Sequence, residues 1–97
     1  MKNGLTATFK SLCKEAAIAA DGHIDGLVEP EETQSRLYEI SEKMIVEYNN
    51  LEGDEAVKIG SAAIMLVMTL HDNVYNNSAE DMAWFIDWRN ALSKIAG

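Results

Sequence analysis

The sequence predicts an all-α fold: residues 1–97 form a single domain, built as a compact bundle of about four helices. Three observations carry this reading. Apolar residues recur at three- and four-residue steps in four segments, and no segment alternates like a strand for more than a few positions. The segments are parted by short stretches marked by Gly, Asn and the single Pro. A chain of 97 residues supplies one core and has no room for a second.

The first helix is expected from about Leu5 to Ala20, with Phe9, Leu12, Cys13, Ala16 and Ala20 on one side. Asp21-Gly22 is its expected stop, because glycine supplies the left-handed closing residue. The second helix is expected from about Pro30 to Asn50. Leu37, Ile40, Met44, Tyr48 and Leu51 form its apolar stripe, with Glu32, Glu39 and Glu47 near the opposite side. Tyr38, Ile45 and Val46 lie off that stripe, to cover the first helix or to form a contact patch.

The third helix is expected from about Asp54 to Tyr75. Between Ile59 and Leu70 it is apolar nearly all round, which places it at the centre of the bundle. The fourth is expected from about Ala79 to Ile95. Ser78 and Asp81 suit a capping box, and Met82, Phe85, Trp88, Leu92 and Ile95 suit the core. Trp84 and Trp88 read as core anchors, or one of them as an exposed binding hot spot, because with Phe85 also inside the helix would be apolar over more than half its girth. Short connections make neighbouring helices antiparallel. The alternative is three long helices with a shorter first one packed crosswise.

Charge narrows the function. Sixteen acids against eight bases give a net charge of −8. That balance argues against direct binding to nucleic acid phosphates and against an anionic membrane surface, and for a basic partner or a cation. Eleven of the acids and only two bases fall between Asp21 and Glu55. The longest mostly apolar run, Ile59 to Leu70, is too short to span a bilayer. A single cysteine, and Lys10, Lys14 and Glu15 breaking any leader-like run, point to a cytoplasmic protein.

The stretch ADGHIDGLVEPEE, Ala20 to Glu32, crowds five carboxylates between two expected helices. Counted from Asp21, it places acids at positions 1, 5, 9 and 12 (Asp21, Asp25, Glu29 and Glu32), glycine at 6 (Gly26) and an aliphatic at 8 (Val28). It thereby resembles the calcium loop of the EF-hand family, in which alternate side chains turn inward onto a hard cation and the final Glu closes the shell. The resemblance implies calcium held by Asp21, Asp25, Glu29 and Glu32. His23 stands where an oxygen ligand is usual, Ile24 where a polar residue is usual, and no second loop follows. The piece AADGHID also resembles a helix-ending segment of tellurite-resistance TerB-type helical proteins. The same residues equally fit a structural joint: Asp21-Gly22 closes one helix, Pro30 opens the next, and Glu29, Glu31 and Glu32 favour its positive end.

Other chemistry is thinly represented. Cys13, His23 and His71 share no zinc spacing, and Cys13 belongs to the inner side of the first helix. No constellation calls for catalysis and no cofactor is implied apart from the calcium alternative. The expected function is therefore that of a small acidic, non-enzymatic protein-binding module. An inhibitor or immunity-type protein, of the size and type that phages and mobile elements encode, would mask the basic surface of a target such as a nucleic-acid-binding protein. The expected contact residues are Glu29, Glu32, Glu39, Glu42, Glu47, Glu52, Asp54 and Glu55.

Overall fold

The computed structural model describes residues 4–97. Four helices follow one another: α1 (Ala7–Ile24), α2 (Pro30–Tyr48), α3 (Asp54–Asp72) and α4 (Ala79–Ala96). Each packs on its chain neighbours and α4 closes on α1, while α1 and α3 touch little across the diagonal. The arrangement is a four-membered ring. Two bonds fix its antiparallel sense. Thr6, at the start of α1, donates to Glu47 near the end of α2 (3.5 Å), and Gln34, early in α2, donates to the His71 carbonyl late in α3 (3.1 Å).

Helix ends follow from local chemistry. The Thr6 hydroxyl accepts the Phe9 N–H and the Ser78 hydroxyl accepts the Asp81 N–H, each at 3.1 Å. Pro30 occupies the first turn of α2, and Asp54 and Glu55 the first turn of α3. Gly53 precedes α3 with φ +93°, a conformation that favours glycine.

The end of α1 corrects the sequence reading. Asp21-Gly22 does not stop the helix, which continues through His23 and Ile24. The left-handed residue is Gly26, at φ +71°. Its N–H reaches the His23 carbonyl (3.1 Å) and the Leu27 N–H reaches that of Gly22 (2.9 Å), a Schellman closure. Gly22 has a different reason to be glycine. A Cβ there would stand 2.8 Å from Val28 Cγ2, so its bareness lets Val28 fold back over the helix end.

The core also differs from expectation in which helix it buries deepest. Phe9, Leu12, Cys13, Ala16, Ala17, Ala19 and Ala20 make α1 the most enclosed element. The run of alanines keeps its surface low, and α2 and α4 close in on both sides. Leu37, Ile40 and Met44 of α2, Val67 and Leu70 of α3, and Phe85 and Leu92 of α4 complete the core. By contrast α3 is not central. Only Ala56, Gly60, Ala63, Val67 and Leu70 of it are buried. In a ring of four, each helix has neighbours on two sides and solvent beyond, so a helix apolar all round still shows one face to water.

The Schellman closure generates a test. Gly26→Ala meets no steric neighbour but forces a Cβ into the left-handed region, so it should cost about 1 kcal/mol of unfolding free energy in urea melts.

Candidate protein-binding surface

The acids of the α1–α2 connection and of α2 sort by the structural work each already does. Glu29 sits at the N-cap position of α2 without a capping bond from its side chain, and Glu31 and Glu32 occupy the first turn. Asp54 and Glu55 serve the first turn of α3 in the same way. These carboxylates sit where the positive helix ends favour them, worth about 0.3–1 kcal/mol each. Glu47 is half-buried on the flank that meets α1 and accepts from Thr6 (3.5 Å), so it does not share the outer face of Glu39 as expected. Glu52 is exposed in the α2–α3 turn.

Glu39 and Glu42 remain. Both are exposed on the outer side of α2, away from its buried Thr33, Leu37, Ile40, Ser41 and Met44. Neither has an ion-pair partner, for the only salt bridges among the described residues are Asp21–Arg89 and His71–Asp72. Val46 lies within the same outer face, seven and four residues after them, and is 68 % exposed. An exposed apolar side chain thus follows two unpaired carboxylates, with Lys43 beside them, on one helix face. With Glu29, Glu31 and Glu32 at one end and Glu52, Asp54 and Glu55 at the other, the acids edge the whole length of α2, about 28 Å.

The calcium-loop residues are arranged differently from the sequence resemblance. Because α1 runs through Ile24, Asp21 lies within the helix, half-buried, its carboxylate paired with the guanidinium of Arg89 from α4. Asp25, Glu29 and Glu32 are exposed. Among the described residues, no three His, Cys, Asp or Glu side chains converge where a metal ion could sit. His23 turns inward instead, its ring 4.9 Å from that of Phe85, with Nε2 buried and unpaired. Burial holds its imidazole below the ordinary pKa of 6.5.

Reactive groups are dispersed. The Cys13 thiol is fully buried and desolvation raises its pKa to about 11, which keeps it protonated and unreactive at neutral pH. His71 Nδ1 lies 2.8 Å from an Asp72 carboxylate oxygen, beside a shallow depression lined by Gln34, Ser35, Tyr38 and Glu39. No hydroxyl among the described residues is hydrogen-bonded to that ring.

Sequence reasoning missed the exposed middle of α3. Met65, in the middle of α3, is 66 % exposed, and Ser61 and Ala62 beside it are exposed as well. Tyr38 and Ile45 of α2 are half-exposed and do not cover α1; the Tyr38 ring lies against His71 of α3, at 5.9 Å. Of the two tryptophans Trp84 is the exposed one, at 54 %, and it stacks on half-buried Trp88 with centroids 6.3 Å apart. The signal for the α3 face was present in two separate readings, an apolar run with no polar side and a ring of four short-looped helices. Together they require an exposed apolar strip.

No family model, no curated protein and no solved structure matches the chain. Among the described residues no helix is long and apolar enough to cross a membrane.

The buried imidazole sets a pH dependence. His23 takes a proton less readily in the fold than in the unfolded chain, whose imidazole protonates as pH falls through about 6.5, so its contribution to stability is present above that pH and is lost as pH falls through the lowered folded pKa. In urea melts, lowering the pH from about 7.5 to about 5.5 should cost the wild type more than His23→Gln. Equal acid-side slopes in the two proteins would refute the assignment.

Proposed function

We propose that the chain is a non-enzymatic binding module that covers a basic surface of a partner protein, an inhibitor or immunity-type role. The observation that carries this reading is the pair Glu39 and Glu42 with Val46 one turn beyond them on the outer face of α2. Neither acid lies at a helix end and neither makes an ion pair within 4 Å, although Lys43 follows Glu39 by one turn and offsets part of the repulsion. A positively charged partner gains encounter rate and register from the pair. Val46 supplies the apolar centre that a polar rim encloses in a protein interface. The helix-end acids Glu29, Glu32, Asp54 and Glu55, with Glu52, extend the field beyond that centre, and Glu47 is secondary because it faces α1.

A nucleic-acid-binding protein is the target class with the most suitable surface, since its phosphate-binding face is basic and largely flat. A net charge of −8 gives this chain the sign of the displaced nucleic acid.

The test is affinity capture from the native host with the wild-type chain and with Glu39→Lys/Glu42→Lys. A basic protein should be retained by the first, released by added salt, and bound by the second about ten-fold more weakly or worse. Equal capture by both proteins would remove the acidic face from the interface.

A further inference from the structure

Among the described residues no other helix covers the middle of the outward face of α3, at Ser61 and Met65; beside it, Ala62 borders a cavity lined also by Leu5, Lys10, Lys94 and Ile95. From Ile59 to Leu70 the chain carries no charged residue, although the protein as a whole is strongly acidic. Ser61, Ala62 and Met65 are exposed there, and Met65 stands at the middle. Thr69, one turn on, folds its hydroxyl back onto the Met65 carbonyl (2.7 Å), so its polar group is already satisfied within the helix. Tyr38 and Ile45 form one shoulder of this strip. Trp84 forms the other. It shares a helix face with Trp88 and Ile95, and Ile95 lines the cavity that Ile59 and Ala62 of α3 also line.

We propose that this face docks a second copy of the chain, α3 against α3 in antiparallel sense, with Met65 at the two-fold axis. The charges that bound the strip select this occupant. Lys58 lies seven residues before Met65 and Asp72 seven after, two helical turns on either side and on the same face. In a symmetric antiparallel pair, the residue n before Met65 meets the residue n after it on the partner. Lys58 therefore meets the partner's Asp72, and Asp72 meets the partner's Lys58. Ser61 meets Thr69 in the same way, which brings small side chains together beside the Met65 contact. A parallel pair would set Lys58 on Lys58 and Asp72 on Asp72, so the same two residues disfavour it. Both are exposed, and the Asp72 side chain is 66 % accessible.

The acidic side of α2 adjoins this contact. Glu42 lies between Tyr38 and Ile45 on one side of α2 and so borders the strip, while Glu39 lines the depression beside His71. The strip between Lys58 and Asp72 is about 21 Å long, a small contact, so a dimer that dissociates on dilution is expected.

Sedimentation of the full chain from about 1 μM to about 1 mM should show the mass rising from one chain of 10.7 kDa toward two. Met65→Glu, at an exposed position, should remain a single chain throughout while its melting curve shows a folded protein. Lys58→Asp alone should weaken the dimer about ten-fold or more, and Lys58→Asp/Asp72→Lys should restore it. Lys58→Asp is the cleaner single variant, because Asp72 also pairs with His71 (2.8 Å). A single chain at every concentration would overturn the proposal. So would a dimer that persists in Met65→Glu, or a double variant no tighter than the single one.

Discussion

A ring of four helices offers each member two neighbours, and this constraint governs the molecule more than any single contact. The side facing the ring's interior can be filled and the flanks can be shared, but the outer side is left to water. Two helices answer it in opposite ways. α2 places charge outside, with Glu39 and Glu42 opposite Leu37, Ile40 and Met44. α3 does not, and shows Ser61, Ala62 and Met65 instead. The protein therefore has two adjacent outward faces of contrasting chemistry, one bearing Glu39 and Glu42 with Val46 beyond them and one on α3 with no charged residue of its own between Lys58 and Asp72. α1 stands apart because its alanines let α2 and α4 approach closely enough to enclose much of it.

The joint between α1 and α2 shows how tertiary packing overrides a local motif. The chain offers two Asp-Gly pairs, Asp21-Gly22 and Asp25-Gly26, four residues apart, and either suits a helix stop. Inside the fold the first is not free to act. Asp21 is tied to Arg89 on α4, and Gly22 lies beneath Val28. Both contacts hold Asp21 and Gly22 in the last turn, so the chain leaves the helix at Gly26. The same extension carries His23 inward to Phe85. Spacing alone suggested a cation loop; within the fold, the residues at its first four positions belong to a helix.

Much of the architecture was legible because it depends on local pattern. The stripe of Leu37, Ile40 and Met44, the entry at Pro30 and the cap at Ser78 follow from periodicity and hydrogen-bonding chemistry that act over one or two turns. What was not legible depends on azimuth. Ile59 to Leu70 gives no preferred direction, so nothing local says which side turns inward; the ring decides, through Gly60 beneath Leu51 and Ala63 and Val67 inside. Trp84 and Trp88 likewise share a face, and only their stacking shows that one covers the other at the edge of the bundle. On α2, the role of each acid became separable once the helix ends and the flank against α1 were known.

The central claim is that an uncharged helix lies on the rim of this bundle with its middle in water. Peroxide oxidation followed by mass spectrometry, on protein diluted well below the micromolar range, tests it most directly. Met65 should oxidise at the rate of a methionine in an unfolded peptide, and Met44, fully enclosed between helices, should be protected as long as the fold persists. Protection of Met65 equal to that of Met44 would place α3 inside the bundle and contradict the account.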